Sequence, residues 1–185
     1  MKKWKRLEET LLIKTPIFEF KSIKLLHAEK HSLHNFYIID SKDWVNIIPI
    51  TANNEIILIN QYRAGTNEIT IEVPGGIIDD SENDPIITAK RELEEETGYI
   101  GKKYYTIGQV MPNPAFITNK CFFVVAEDVE PIGKENFDES EYIESFKVPM
   151  EKISEMIKNR EITHAITLNA FLYLHLNQVR GFKLL

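Results

Sequence analysis

A single cysteine among 185 residues rules out an internal disulfide. Cys121 lies within Cys121-Phe122-Phe123-Val124-Val125-Ala126, with no nearby cation to lower the pKa of a thiol, so it reads as a small buried hydrophobe in a reducing, cytoplasmic setting. No stretch comes near the ~18 consecutive apolar residues of a membrane-spanning helix, so no membrane partner is expected. The basic start Lys2, Lys3, Lys5, Arg6 is interrupted by Glu8 and Glu9 before any apolar run, and so does not read as a targeting leader. Basic residues are in the minority: 22 Lys plus Arg against 28 Asp plus Glu, a net charge of -6. Such a surface repels phosphate backbones, which excludes nucleic acid as a general partner. A small anion stays admissible if metal ions supply positive charge. Glycine and proline, eight of each, are too few for collagen-like or proline-rich classes.

What is present is a 43% hydrophobic fraction, enough for one packed domain with a small appendage. Residues 1–44 alternate in short apolar runs such as Ile17-Phe18-Glu19-Phe20 and Phe36-Tyr37-Ile38-Ile39, which predicts two or three strands. His27 and His31 fall four apart there, but no helix covers them, so they read as solvated. From Trp44 on, strands are expected at Val45–Ile50, Glu55–Asn60, Ile69–Val73, Ile107–Val110, Cys121–Ala126 and Tyr142–Val148, with Asn53-Asn54 as a turn. Pro74-Gly75-Gly76 ends the third of these.

Asp84 as N-cap, Pro85 at the first helical position and Gly98 as a left-handed stop delimit a helix over 85–97. A second helix follows Pro149, through Ile153 and Ile157. A third spans about 163–177, with Ala165, Leu168, Phe171, Leu172 and His175 as its apolar stripe. Short strands with few helices indicate a mixed α/β sandwich rather than a doubly wound parallel sheet.

The helix over 85–97 ends in Arg91-Glu92-Leu93-Glu94-Glu95-Glu96-Thr97-Gly98, where four of five consecutive residues are glutamates. The helix dipole favours cations at that end. Like charges at i,i+3 and i,i+4, such as Glu92 with Glu95 and Glu96, cost roughly 0.2–0.5 kcal/mol per pair. Two readings account for the arrangement. One is a solvated acidic face with Arg91 paired to Glu95. The other is a site for hard divalent cations, which take oxygen ligands and bridge to phosphates.

These residues resemble the Nudix hydrolases, whose signature is Gly, five residues, Glu, seven residues, then Arg-Glu-apolar-any-Glu-Glu-any-Gly-apolar. The second half matches from Arg91 to Tyr99; the first half has Gly76, five residues and Glu82, then eight residues before Arg91, one more than the signature. Gln61-Tyr62-Arg63 and Glu139-Ser140-Glu141 resemble the ADP-ribose and ADP-sugar pyrophosphatase branch. The resemblance implies an α/β/α sandwich over 45–185, and makes residues 1–44 a β appendage for dimerisation and nucleoside contact. It implies hydrolysis of a nucleoside diphosphate sugar (ADP-ribose, ADP-sugar or GDP-mannose type) to a nucleoside monophosphate and a sugar phosphate. Two or three Mg²⁺ ions per site, or Mn²⁺ in their place, would be held by Glu92, Glu95, Glu96, the Gly75 carbonyl and Glu141. Glu139 would be the general base, Arg91 would orient the glutamates, and Arg63 would hold the diphosphate beside Gly76. Arg63 has a plainer reading as an ion-pair partner of Glu72. Trp44 and Phe116, with Phe20 and Tyr37, are the aromatics considered for stacking on the base. Pro112-Asn113-Pro114-Ala115-Phe116 is expected beside the site. Two alternatives stand against this reading. One is a non-catalytic module sensing ADP-ribose or a nucleotide sugar, the other a nucleoside triphosphate or dinucleotide polyphosphate pyrophosphohydrolase.

Overall fold

The computed structural model describes residues 2–132 and 143–184 and divides into two compact units. The first comprises residues 1–43 together with 111–120. Its strands β1 (Lys5–Lys14), β2 (Phe18–Leu26) and β3 (Leu33–Ser41) form an antiparallel meander in the order β1-β2-β3. The β1–β2 turn is closed by Thr15, whose hydroxyl donates to the Phe18 carbonyl at 2.7 Å and accepts from the Phe18 amide at 3.0 Å. The stretch 111–120, expected from sequence to belong with the following domain, joins this unit instead. The edge of β3 explains it: the Ile39 amide donates to the Phe116 carbonyl at 2.7 Å, and the Thr118 amide donates to the Ile39 carbonyl at 3.1 Å. Unpaired backbone groups on an edge strand thus find partners in the loop. Every residue of β1 is exposed, and Leu11, Ile13, Leu33 and Tyr37 of this unit present apolar surface to solvent.

The second unit comprises residues 44–110 and 121–185. Its elements are β4 (Trp44–Ile50), β5 (Glu55–Arg63), β6 (Glu68–Glu72), β7 (Gly75–Ile77), α1 (Pro85–Thr97), β8 (Tyr99–Ile100), β9 (Lys103–Val110), β10 (Cys121–Glu127), β11 (Glu130–Pro131), β12 (Ile143–Pro149), α2 (Ile153–Lys158) and α3 (Ala165–Leu176). A seven-stranded mixed sheet runs β12-β5-β4-β10-β9, with β6 on β5 and β7 on β4. The β4–β10 pair is parallel, and the other pairings in this sheet are antiparallel.

Side chains alternate across a strand, so each strand feeds two cores. Val45, Ile47, Ile57, Val124 and Ala126 pack with Ala89 and Leu93 of α1. Ile48, Ile50, Ile56, Leu58, Phe123 and Val125 pack with Ile153 of α2 and Ala170, Phe171 and Leu174 of α3. The result is helices on both faces of a mixed sheet, the sandwich expected from sequence.

Two expectations need refinement. The strand before Pro74 does end there, β6 stopping at Glu72, but Gly75 and Gly76 then open β7 and pair with Asn46 and Val45. The buried face of α3 runs through Ile166, Thr167, Ala170, Phe171 and Leu174, whereas Leu172 is exposed. That helix is apolar on nearly every side, so its sequence gives no clean 3.6-residue stripe. No helix among the described residues is long and apolar enough to cross a membrane.

Candidate active site

The site is organised by α1 and the two strands before it. Asp84 caps the helix by accepting from the Ile86 amide at 2.9 Å, Pro85 begins it, and Gly98 ends it at φ 66°, its amide donating to the Glu94 carbonyl. With both ends fixed, the rotation of the last two turns is set. Leu93 points into the core, Glu94 faces solvent, and Glu96 is buried. Glu92 and Glu95 flank Glu96, one mostly covered and the other partly exposed.

Arg91 ties these carboxylates together. Its Nη1 donates to Glu92 at 2.8 Å and to Glu95 at 2.9 Å, while Nε donates to Glu82 at 3.2 Å. Glu82 also accepts from the Thr88 hydroxyl at 2.6 Å and the Asp79 amide at 3.2 Å. The Arg91 hydrogen bond is the main reason the Glu82 carboxyl is held at about 2; partial desolvation opposes it, and the Thr88 and Asp79 donors add to it. Glu82 therefore has a definite place in spite of the additional residue after it, and that place is on Arg91.

Glu96 makes the other link. Its Oε2 accepts from the Gly75 amide at 2.9 Å, joining the helix tail to the start of β7. The two glycines are required by close approach. A Cβ on Gly75 would run into the Val45 carbonyl, and one on Gly76 would occupy the place of the Glu92 carboxylate.

This donor set suits a hard cation: it is made of oxygens, on a rigid helix, against a glycine cradle that brings Glu92 to the backbone. Glu92, Glu96, Glu95 and the Gly75 carbonyl are the groups here that would hold one. Among the described residues no three His, Cys, Asp or Glu side chains form a ligand cluster by themselves. Glu139 and Glu141, expected from sequence as base and further ligand, lie outside the described residues.

The substrate candidates are placed unevenly. Arg63, at the end of β5, donates through Nε and Nη2 to the two oxygens of Glu72, both at 2.7 Å. The ion pair that sequence offered as the plainer reading thus exists. Glu72 is fully buried and also accepts from the Thr70 hydroxyl at 2.5 Å and from His164 Nδ1 at 2.9 Å. Burial alone would raise its pKa, but Arg63 and then His164 outweigh it and bring the carboxyl to about 2. Trp44 begins β4 and packs against the core on the α3 side. Phe116, Phe20 and Tyr37 belong to the first unit, where Phe20 and Tyr37 stack at 6.0 Å. Sequence did not single out His164 or Thr70, and Glu72 entered only as a partner for Arg63. A charged residue in the apolar run before Pro-Gly-Gly was the available signal.

A NUDIX domain model matches residues 41–170. An ADP-ribose pyrophosphatase of Bacillus subtilis (strain 168) is 32% identical over 180 residues, covering 94% of this chain and 96% of that protein. A methanol dehydrogenase activator of Bacillus methanolicus is 32% identical over 142 residues, covering 75% of each chain. A crystal structure of an ADP compounds hydrolase shares the fold at a TM-score of 0.86 and 22% identity, covering 100% of this chain and 98% of that one. The chain belongs to the Nudix family. Within it the similarity falls in the ADP-ribose and ADP-sugar branch, and the protein is an enzyme acting on pyrophosphate bonds.

Proposed function

We propose that the chain hydrolyses the diphosphate bond of a nucleoside diphosphate sugar of the ADP-ribose, ADP-sugar or GDP-mannose type, with Mg²⁺ as the ordinary cation and Mn²⁺ as a substitute. The observation that carries this is the tail of α1: Glu96 buried on the Gly75 amide, and Arg91 holding Glu92 and Glu95. A solvated acidic face needs neither a buried carboxylate nor a glycine fitted to one. The full-length relation to an ADP-ribose pyrophosphatase supports this substrate class.

A divalent cation at these carboxylates supplies charge neutralisation and Lewis acidity toward a diphosphate. The chain's own residues do the rest. Glu92, Glu95 and Glu96 provide the negative charge that retains cations beside the substrate. Arg91 and Glu82 keep those carboxylates in register. Arg63 meets the diphosphate. Glu139 takes the proton of the attacking water, and Glu141 completes the ligand set. Water adds across one P–O–P linkage, giving a nucleoside monophosphate and a sugar phosphate. The exposed apolar sheet of the first unit suits a homodimer contact, Trp44 is the candidate aromatic for the nucleoside in the second unit, and the cytoplasm is the fitting compartment.

The test is turnover of ADP-ribose, ADP-glucose, GDP-mannose, UDP-glucose and NADH with Mg²⁺ and with EDTA, read as phosphate released through a coupled phosphatase. Metal-dependent turnover of at least one sugar nucleotide is expected. Binding without turnover across the panel would leave a sensing module as the better account.

A further inference from the structure

The carboxylate of Glu72 is satisfied symmetrically. Oε1 accepts from Arg63 Nε at 2.7 Å and the Thr70 hydroxyl at 2.5 Å; Oε2 accepts from Arg63 Nη2 at 2.7 Å and lies 2.9 Å from His164 Nδ1. Three elements meet on this one group: β5 through Arg63, β6 through Thr70 and Glu72, and the start of α3 through His164. The Arg63 side chain is 41% exposed while that of Glu72 is wholly enclosed, so the carboxylate is the fixed member and the arginine the one it aims.

His164 occupies an unusual position for a histidine. It is the N-cap residue of α3, where Ser, Thr, Asp or Asn ordinarily accepts from the first helical amides. Its side chain makes no capping bond. The imidazole turns instead toward Glu72, with Nδ1 also 3.1 Å from the hydroxyl of Thr167, one turn into the helix. Thr167 in turn accepts from the Val73 amide at 3.4 Å. The residue after Glu72 is thus anchored to the same helix start. A bidentate Arg–carboxylate pair fixes the guanidinium plane only as well as the carboxylate is fixed. Without His164, Oε2 would lose one of its two donors, and the carboxylate could rotate with the arginine attached.

We propose that His164 is a positioning residue for substrate binding: it locks Glu72, and through Glu72 the heading of the Arg63 guanidinium toward the diphosphate. This rests on the diphosphate role proposed above for Arg63. It does not depend on the charge of the ring, since the neutral Nδ1–H tautomer and the imidazolium both offer a donor at that nitrogen.

The experiment compares Arg63→Ala, His164→Leu, His164→Asn and His164→Gln in the full chain, with ADP-ribose and saturating Mg²⁺. An asparagine amide reaches about where Nδ1 lies and a glutamine amide where Nε2 lies, so the Asn/Gln pair decides the matter even if the leucine variant does not fold. Arg63→Ala and His164→Leu are expected to raise KM about tenfold or more, the loss associated with a charged hydrogen bond. His164→Asn should stay within about threefold of the parent and His164→Gln should follow the leucine variant. If Arg63→Ala raises KM but neither His164→Leu nor His164→Gln does, the His164 assignment is overturned while Arg63 keeps its role. If Arg63→Ala leaves KM unchanged, or no sugar nucleotide of the panel above is turned over in place of ADP-ribose, both fall. If the His164 variants lower Tm and kcat together at constant KM, the residue is structural only, and the proposal fails.

Discussion

Arg91 reaches back to Glu82, Nε to Oε1 at 3.2 Å, across a segment one residue longer than the family signature provides. The same guanidinium holds Glu92 and Glu95. Glu82 thus acts on the carboxylate cluster at one remove, as groups beyond the ligands of a metal site do. Glu82→Gln should raise the Mg²⁺ concentration needed for half-maximal activity by roughly 10–100-fold, with a smaller effect at saturating Mg²⁺. A magnesium titration of initial rates checks this. An unchanged titration would reduce Glu82 to an ornament of the loop.

Among the glutamates of α1, Glu96 is the buried one, bonded to the Gly75 amide. Glu96→Gln keeps the size and retains an oxygen to accept from that amide, so the fold should persist, with Tm shifted by only a few degrees. The charge is lost, and kcat should fall on the order of 10³-fold. Circular dichroism and steady-state rates on the same preparation separate the two effects. Full activity in the variant would remove the metal role from this residue.

Gly75 and Gly76 are adjacent, yet alanine should affect them differently. At Gly75 the added methyl meets the Val45 carbonyl and lies 3.0 Å from Asn46 Cα, both backbone. The β4–β7 pairing must then give way, with a loss of about 1–3 kcal/mol. At Gly76 the methyl meets only the end of the Glu92 side chain, which can swing aside. Gly76→Ala should therefore fold normally and show a weakened requirement-specific response to Mg²⁺, whereas Gly75→Ala should show a lowered Tm. Equal Tm losses in both would mean that Glu92 is as immobile as backbone.

These contrasts show where sequence was informative. The α1 boundaries were legible because Asp84, Pro85 and Gly98 act within one turn of chain, and such caps need no tertiary partner to be read. β4 and β10 were legible as strands from their short apolar runs, which are likewise local. The start of β7 was not, because glycines pair there only through close approach to Val45 and Asn46, a relation across about thirty residues of chain. Nor was the seat of residues 111–120, which is decided by the open edge of β3. In the site, the signature exposed the glutamates of α1, but the Glu72 network joins residues about a hundred positions apart and leaves no motif.

The buried carboxylate of Glu72 makes a distinct prediction about acid stability. Its pKa is depressed from 4.5 to about 2 in the folded state. A group of this kind stabilises the fold fully above its unfolded pKa, and the contribution is lost as pH falls through the folded one. The difference corresponds to roughly 3 kcal/mol at neutral pH, fading between about pH 5 and pH 2. Other carboxylates, including Glu82 and Asp40, are depressed as well, so the overall acid limb cannot be assigned to one residue. Comparison with Glu72→Gln isolates it. Urea unfolding at intervals from pH 7 to pH 2 should show the variant less stable at neutral pH, with the gap to the parent narrowing steadily below pH 5. A gap that stays constant with pH would mean that the variant suffers from lost packing, and that the charge of Glu72, with its arginine and histidine partners, contributes no net stability.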